Sequence, residues 1–171
     1  FFKQKTAYEI YQCDWSSDVC SSDLPAIFWA PGEVQKGQRL EGLCQLFDIG
    51  ATVLEWAGVP LPPACQARSL MPALLGEAWT GRDAVFAEQA GDVSLTGASL
   101  FSMVREHRYK LMHITGSSEG QLFDLQNDPH EIHNLWSDPN YQLERSRLIS
   151  RLLEWRMQSS VETMSLMSES R

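Results

Sequence analysis

The stretch FSMVREHRYKLMHITGSSEGQLFDLQ, residues 101–126, decides the fold of this chain. Within it, alternate residues such as Lys110, Met112 and Ile114 share one side of an extended segment. The chain has four short runs with strand composition, at 84–88, 99–106, 109–115 and 121–126. Hairpin-length polar connections at 106–108 and 115–120 separate the last three runs. The pattern therefore predicts a meander of antiparallel strands.

A helix is predicted directly after these strands, from about Asn140 to Gln158. The sequence NYQLERSRLISRLLEWRMQSS has an amphipathic stripe at helical spacing, made of Leu143, Arg147, Ile149, Leu152, Leu153 and Trp155. Since one face of the sheet needs cover, we expect this helix to pack on it. The polar tail at 159–171 is expected to fray.

Different signals precede the sheet. PAIFWA, residues 25–30, is a short apolar run before Pro31-Gly32 and predicts a buried strand. DIGATVLEWAGV predicts a helix in which Asp48 is the N-cap and Gly58 the stop. Ile49, Val53, Trp56 and Ala57 would share one face of this helix. SLMPALLG predicts a second, short helix capped by Ser69.

The predicted fold class is an α/β fragment plus an α+β unit. Residues 25–83 would form the end of an α/β domain, and residues 84–158 a small antiparallel-sheet subdomain with a C-terminal helix.

The first 24 residues are interpreted as an artefact. KQKTAYEI (3–10) and DWSSDVCSSDL (14–24) can be read codon by codon, in frame and in order, as the two halves of a common sequencing-library adapter. We therefore leave residues 1–24 out of the fold and expect them to be disordered, without defined core contacts. The interpretation also implies that the natural gene was cut just before Pro25.

Composition excludes several kinds of partner. The 171 residues carry 14 basic and 22 acidic side chains, a net charge of -8, which argues against a nucleic-acid partner. No apolar run reaches the roughly 18 residues of a membrane span, so no membrane partner is expected. Four scattered cysteines do not make a disulfide framework. The cellular compartment is not indicated.

Two local patterns imitate active sites. GSSEG at 116–120 fits G-x-S-x-G, but a nucleophile elbow needs strand, turn and helix, whereas this stretch links two strands. Five ligand-type side chains lie close together in sequence: Asp124, Asp128, His130, Glu131 and His133. The Asp128-Pro129 pair favours a turn there, so we interpret the group as a solvated turn and predict no metal site.

Five elements in a fixed order resemble the C-terminal part of sulfatases. Residues 48–76 are similar to the family's D-x-x-P-T-L-L-x-x-A-G helix and the P-x-x-x-x-G-x-S-L-x-P-L-L element after it. AVFAE follows, then FSMVREHRYKLMHI, which resembles a strand pair built on M-V-R-x-x-x-Y-K-L. QLFDLQNDPHEIHNLW resembles L-Y-D-L-x-x-D-P-x-E-x-x-N-L. The resemblance covers 25–158, and the departures are Ala51, Ala67 and Phe123.

The resemblance implies an alkaline-phosphatase-like fold and a parent enzyme that hydrolyses sulfate esters. In that family a formylglycine, made from the first residue of C-x-P-S-R, acts beside calcium or magnesium. Those motifs lie upstream of this region. Cys65 lies in CQARS, which lacks the proline, and Cys44 has no matching context. We therefore predict no catalytic residue, no metal ligand and no cofactor in this chain, and no sulfatase activity of the chain as written.

Arg105 and Lys110, in the strand pair, are candidates to face the parent's substrate cleft, although both could equally be surface charges. The implied partner of the parent is a sulfated small molecule or glycan. Two alternatives stay open: a phosphonate or phosphate ester hydrolase of the same superfamily, and a non-catalytic binding module that shares only the family's shape.

Overall fold

The computed structural model describes residues 26–62, 65–90 and 100–169, and the side chains as far as Val161. The predictions made for residues 1–24 lie outside these ranges. Among the described residues, no helix is both long and apolar enough to cross a membrane.

Four antiparallel strands form one sheet, and the predicted meander is confirmed. The strands are β1 (Ala84–Ala90), β2 (Leu100–Glu106), β3 (Tyr109–Ile114) and β4 (Gly120–Asp124), in the order β1-β2-β3-β4. Val104 pairs with Leu111, and Leu111 with Leu122, so large apolar side chains form a row across three strands. This row is the centre of the core.

The C-terminal helix packs on the sheet, as predicted. A 3₁₀ turn at Pro139–Tyr141 leads into the long helix Gln142–Glu169. Leu148 and Leu152 of this helix are buried in the core cluster, together with Trp136.

The prediction for this helix was wrong in two respects. Residues 159–169 are helical rather than frayed, and Leu143 and Leu153 of the predicted stripe are 87% and 57% exposed. The other apolar members of the stripe, Ile149, Leu152 and Trp155, do pack on the core, and Leu148, which the prediction left out, is fully buried beside them.

The sheet has two unlike faces. The helix face carries Phe86, Val104, Leu111 and Leu122 and contacts the long helix. The far face carries the opposite row, which the strand register places side by side: Val85, Arg105, Lys110 and Phe123. Val85 and Phe123 are buried, so the far face is also covered over part of its area.

Two helices precede the sheet: α1 (Leu46–Trp56) and α2 (Met71–Leu74). We call the long helix α3. The N-cap of α1 is Gln45. Asp48 lies in the first turn of the helix, and its carboxylate accepts the Gln45 backbone N–H at 2.8 Å. The prediction that Asp48 is the N-cap was therefore wrong. Gly58 has a φ of 68° just after the helix, as predicted for its stop.

The predicted strand at 25–30 is not formed in its described part, residues 26–30. Ile27 and Trp29 are 85% and 84% exposed, and no described strand pairs with this run. A lone strand gains neither ladder hydrogen bonds nor a covered face, so an apolar run without neighbours stays irregular.

A tight contact locks the start of β4. The indole ring of Trp136 lies so close to Gly120 that a Cβ atom there would be 2.5 Å from the ring, and Trp136 Nε1 donates to the Ser118 carbonyl at 3.0 Å. Gly50 in α1 is the opposite case, with no atom within 4 Å of an added Cβ.

We predict opposite effects for alanine at these two glycines. Gly120→Ala should lower the free energy of unfolding by about 1–3 kcal/mol, because it overpacks the Trp136 contact. Gly50→Ala should leave stability unchanged or raise it by up to about 1 kcal/mol through helix propensity. Urea unfolding of both variants checks this, and equal effects would contradict the described contact.

Candidate functional site

Arg105 and Lys110, the residues predicted to face a cleft, are cross-strand neighbours on the far face. The β2–β3 register pairs them directly. They therefore lie on the side of the sheet away from α3. Their environments differ, since Arg105 is half-buried while the Lys110 side chain is 1% exposed.

Lys110 is neutralised within the fold. Its Nζ lies 3.0 Å from Oε2 of Glu131, whose side chain is 6% exposed. Removing one partner of such a buried pair leaves an uncompensated charge, which costs about 3–5 kcal/mol. Lys110 thus serves as an anchor for the loop that carries Glu131, whatever else it contacts in a larger protein.

Glu131 reaches Lys110 from a distorted loop. Its φ of 55° makes it the one non-glycine residue with positive φ in the described part of the chain. Asp128 shapes this loop, because its backbone carbonyl accepts the Glu131 N–H at 3.1 Å and its carboxylate accepts the His133 N–H at 2.7 Å. Backbone strain of this kind costs on the order of 1–3 kcal/mol and persists only where surrounding contacts enforce it.

A second carboxylate fixes the turn between β2 and β3. Arg108 donates from Nε and Nη2 to the two oxygens of Asp124, at 3.1 and 2.8 Å. Asn127 Nδ2 donates to the same carboxylate at 2.8 Å. The Arg108 hydrogen bonds, outweighing burial, hold the pKa of the Asp124 carboxyl below its usual value.

The carboxylates of this region that could have been metal ligands are thus bound to other groups of the protein. Asp124 binds Arg108, Asp128 binds backbone amides, Glu131 binds Lys110, and the His133 side chain is 78% exposed. Among the described residues, no group of three or more His, Cys, Asp or Glu side chains is placed to hold a metal ion.

The G-x-S-x-G match forms a hairpin loop between β3 and β4. Gly116 has a φ of 83°, and the Ser117 hydroxyl accepts the Glu119 N–H at 3.0 Å. The interpretation as a loop is confirmed, because strands rather than a strand and a helix flank it. Cys44 and Cys65 are exposed thiols.

A buried carboxylate also organises the region before the sheet. Asp48 is 1% exposed and accepts hydrogen bonds from the backbone of Gln45 and Arg68 and from Arg82 Nε at 2.8 Å. Burial opposes its ionisation, but the Arg82 and backbone hydrogen bonds outweigh this and keep the pKa of Asp48 below its usual value. One carboxylate thereby ties α1, the connector and the entry to β1 together.

Comparison with known proteins identifies this arrangement. A family model of the C-terminal region of N-sulphoglucosamine sulphohydrolase matches residues 18–158. The chain belongs to this sulfatase family. The resemblance found in the sequence motifs is therefore confirmed.

Relatives of this sulfatase region include enzymes with different named activities. A multifunctional alkaline phosphatase superfamily protein from Trinickia caryophylli is 30% identical over 140 residues, 75% of this chain and 27% of the relative. An N-acetylglucosamine-6-O-sulfatase from Bacteroides thetaiotaomicron is 25% identical over 139 residues, 79% of this chain and 25% of the relative.

A solved structure shares the fold. The phosphonate monoester hydrolase from Silicibacter pomeroyi superposes with a TM-score of 0.65 at 28% identity, covering 77% of this chain and 28% of that one. The predicted fold class, an alkaline-phosphatase-like end followed by a small antiparallel sheet and helix, is confirmed. The chain spans about a quarter of the length of the two relatives named above.

The roles of Asp48, Glu131 and Asp124 were not predicted from the sequence. A signal was present for each, since Asp48 begins the D-x-x-P-T-like helix motif and the other two lie in the L-Y-D-L-x-x-D-P-x-E-like element. Their partners, Arg82, Lys110 and Arg108, are 34, 21 and 16 residues away in the chain.

Disrupting the Lys110–Glu131 ion pair is predicted to lower the stability of the protein. Lys110→Met should lower the free energy of unfolding by about 3–5 kcal/mol, because Glu131 stays buried without its cation. The double variant Lys110→Met/Glu131→Gln should recover part of this loss, since no buried charge remains. Urea unfolding of the wild type, Lys110→Met, Glu131→Gln and the double variant measures the coupling, and additive effects of the two single changes would contradict the pairing.

The lowered pKa of Asp124 leads to a prediction of how the stability of the protein depends on pH. Its folded-state pKa lies below the unfolded value of about 3.9, so its contribution is complete above that pH and is lost as the pH falls through the folded-state pKa. Asp124→Asn should therefore be less stable than the wild type at pH 7 and lose less stability between pH 5 and 2. Arg108→Gln should likewise reduce the loss of stability between pH 5 and 2. Thermal unfolding across this range is the measurement, and unchanged slopes in both variants would argue against the pairing.

Proposed function

We propose that this chain is the C-terminal part of a sulfatase whose parent protein hydrolyses sulfate esters of a sugar or glycan. The match of residues 18–158 to the sulfatase C-terminal family carries the proposal. The relative named as an N-acetylglucosamine-6-O-sulfatase supports a sulfated sugar as the substrate class.

A phosphonate or phosphate ester hydrolase is the second candidate for the parent. The Silicibacter pomeroyi phosphonate monoester hydrolase, with a TM-score of 0.65, supports it, as does the Trinickia caryophylli relative, which is named as a multifunctional member of the alkaline phosphatase superfamily. A sulfate ester and a phosphonate monoester are both tetrahedral anions, so one scaffold can present similar cationic groups to either. The parent's nucleophile and its preference between the two esters separate the candidates.

The metal that the sulfatase family implies does not fit the described residues. A calcium or magnesium ion needs several hard oxygen ligands converging on one point, and the carboxylates described here are bound to Arg, Lys or backbone groups. We therefore assign no residue of this chain to the metal or to nucleophilic attack. Both would come from other parts of the parent.

We propose that Arg105 contributes positive charge to the wall of the parent's substrate cleft, with Lys110 supporting it. The two residues are neighbours on the far face, away from α3. Lys110 is already paired with Glu131, which suits a positioning role, whereas the half-buried Arg105 retains accessible surface. In the parent, Arg105→Lys should raise KM more than it lowers kcat, since it keeps the charge but loses the planar fork.

Exposed apolar side chains support the view that the region before the sheet is one part of a larger domain. Leu46 and Val53 of α1 are 79% and 55% exposed, and Trp29 is 84% exposed. Leu46 and Val53 are seven residues apart and therefore lie on one face of α1, and exposed apolar side chains grouped in this way mark a contact site. We propose that other elements of the parent's α/β domain cover it.

The chain as written is predicted to hydrolyse neither an aryl sulfate nor an aryl phosphonate above a mock preparation, with calcium or magnesium present. Catalytic groups that act as a unit lose nearly all rate when the unit is broken. The parent protein, expressed from its full-length gene, should hydrolyse the aryl sulfate faster than the aryl phosphonate. Turnover by the purified chain that Cys65→Ala abolishes would overturn this assignment, and faster phosphonate turnover by the parent would favour the second candidate.

Self-association of the chain is predicted to run through α1. Leu46→Lys/Val53→Lys should reduce aggregation several-fold while changing stability little, because both side chains are exposed. Leu143→Lys/Leu153→Lys is the matched control, since it also adds two lysines, at leucines of α3 that are 87% and 57% exposed. Light scattering at several concentrations measures this. An equal effect of the control would show that net charge alone is responsible.

A further inference from the structure

A groove of about 350 Å³ lies between β1 and the second half of α3. It is lined by Glu88, Trp155, Arg156, Ser159 and Ser160. Glu88 extends from the helix face of the sheet, so the groove lies on the opposite side of the sheet from Arg105 and Lys110. It is a shallow groove, open to solvent on one side, so a ligand there would be only partly covered.

The aromatic wall of the groove is rigid. The rings of Trp155 and Phe86 stack with centroids 4.7 Å apart and planes 2° from parallel. Phe86 in turn packs against the core cluster, so it holds the Trp155 indole in one orientation. Phe86 covers one face of the indole, and the part of Trp155 that lines the groove is already ordered, so a ligand contacts it at little entropic cost.

The polar wall is also ordered. Oε1 of Glu88 accepts hydrogen bonds from the Ser102 hydroxyl at 2.9 Å and from Arg156 Nη1. Both bonds end on the same oxygen, so Oε2 can accept from a ligand hydroxyl. Ser160 donates its hydroxyl to the Arg156 carbonyl at 2.9 Å and keeps its oxygen lone pairs as acceptors.

The charges of this wall cancel. Glu88 and Arg156 form an ion pair, so neither a strong anion nor a strong cation gains a net electrostatic attraction there. What remains is a flat aromatic ring beside a carboxylate oxygen, guanidinium N–H groups and hydroxyls. This combination suits an uncharged ring that has one apolar face and several hydroxyl groups, which is the chemistry of an unsulfated sugar.

We propose that this groove binds an unsulfated sugar unit of a glycan chain. The inference rests on the proposed function, because it takes the parent's substrate to be a glycan longer than the sulfated unit itself. The groove would hold such a chain independently of the hydrolysed ester.

The test uses the 171-residue chain and two probes, neutral N-acetylchitotetraose and a heparin-derived tetrasaccharide. We expect the neutral probe to shift the Trp155 indole N–H resonance with a Kd on the order of 1 mM. Ser160→Phe, which fills the groove, should weaken this binding at least tenfold. Ser150→Phe, at an exposed serine outside the groove on the same helix, should leave it unchanged.

Three results would overturn the inference: no shift at about 10 mM probe, equal weakening by both phenylalanine variants, or tighter binding of the sulfated probe. The proposed function fails separately. If the parent hydrolyses sulfated glycans but the groove binds no sugar, only this inference is wrong. If the groove binds and the parent has no sulfatase activity, only the proposed function is wrong.

Discussion

Leu148 and Leu152 of α3 pack on a row formed by Val104, Leu111 and Leu122, and the rest of the subdomain depends on this contact. All five side chains are at most 5% exposed. Each fully buried aliphatic side chain contributes about 1.5–3 kcal/mol, so this apolar contact outweighs any single surface ion pair, which contributes about 0–1 kcal/mol. The meander presents the row, and the helix covers it.

Ion pairs at the rim then fix the helix orientation. Glu106 of β2 accepts from Arg147 and Arg151, and Glu88 of β1 accepts from Arg156. These arginines are four and five residues apart along α3, about one turn each, so successive turns of the helix are tied to two strands. Because the pairs are partly exposed, their contribution is to geometry more than to stability.

The region before the sheet is held differently. Asp48 gathers α1, the connector and Arg82 through hydrogen bonds, while the large apolar residues Leu46, Phe47 and Val53 remain exposed. A group of hydrogen bonds with little apolar burial fixes the geometry of a region but contributes little to the free energy of folding. This is the behaviour expected of one piece of a larger sulfatase domain.

The elements that were predicted correctly are those whose formation depends on the local sequence. Strand alternation located the meander, and Gly58 located the end of α1. The strand expected at 25–30 failed because strand formation needs partners that the sequence of the run does not specify. The Asp48 cap was misplaced, and the Lys110–Glu131 pair was missed. The cap is decided locally, by the capping box between Gln45 and Asp48, whereas Lys110 and Glu131 are 21 residues apart, and periodicity carries no information about such a contact.

Hydrogen exchange of the whole chain tests most directly whether the sheet and α3 form a self-sufficient core to which the preceding region is weakly attached. Backbone amides of β2 and β3 and of the first half of α3 should exchange slowest, through global unfolding, whereas those of α1 should exchange much faster through local opening. Protection of α1 equal to that of β3 would contradict the account, as would fast exchange throughout the sheet.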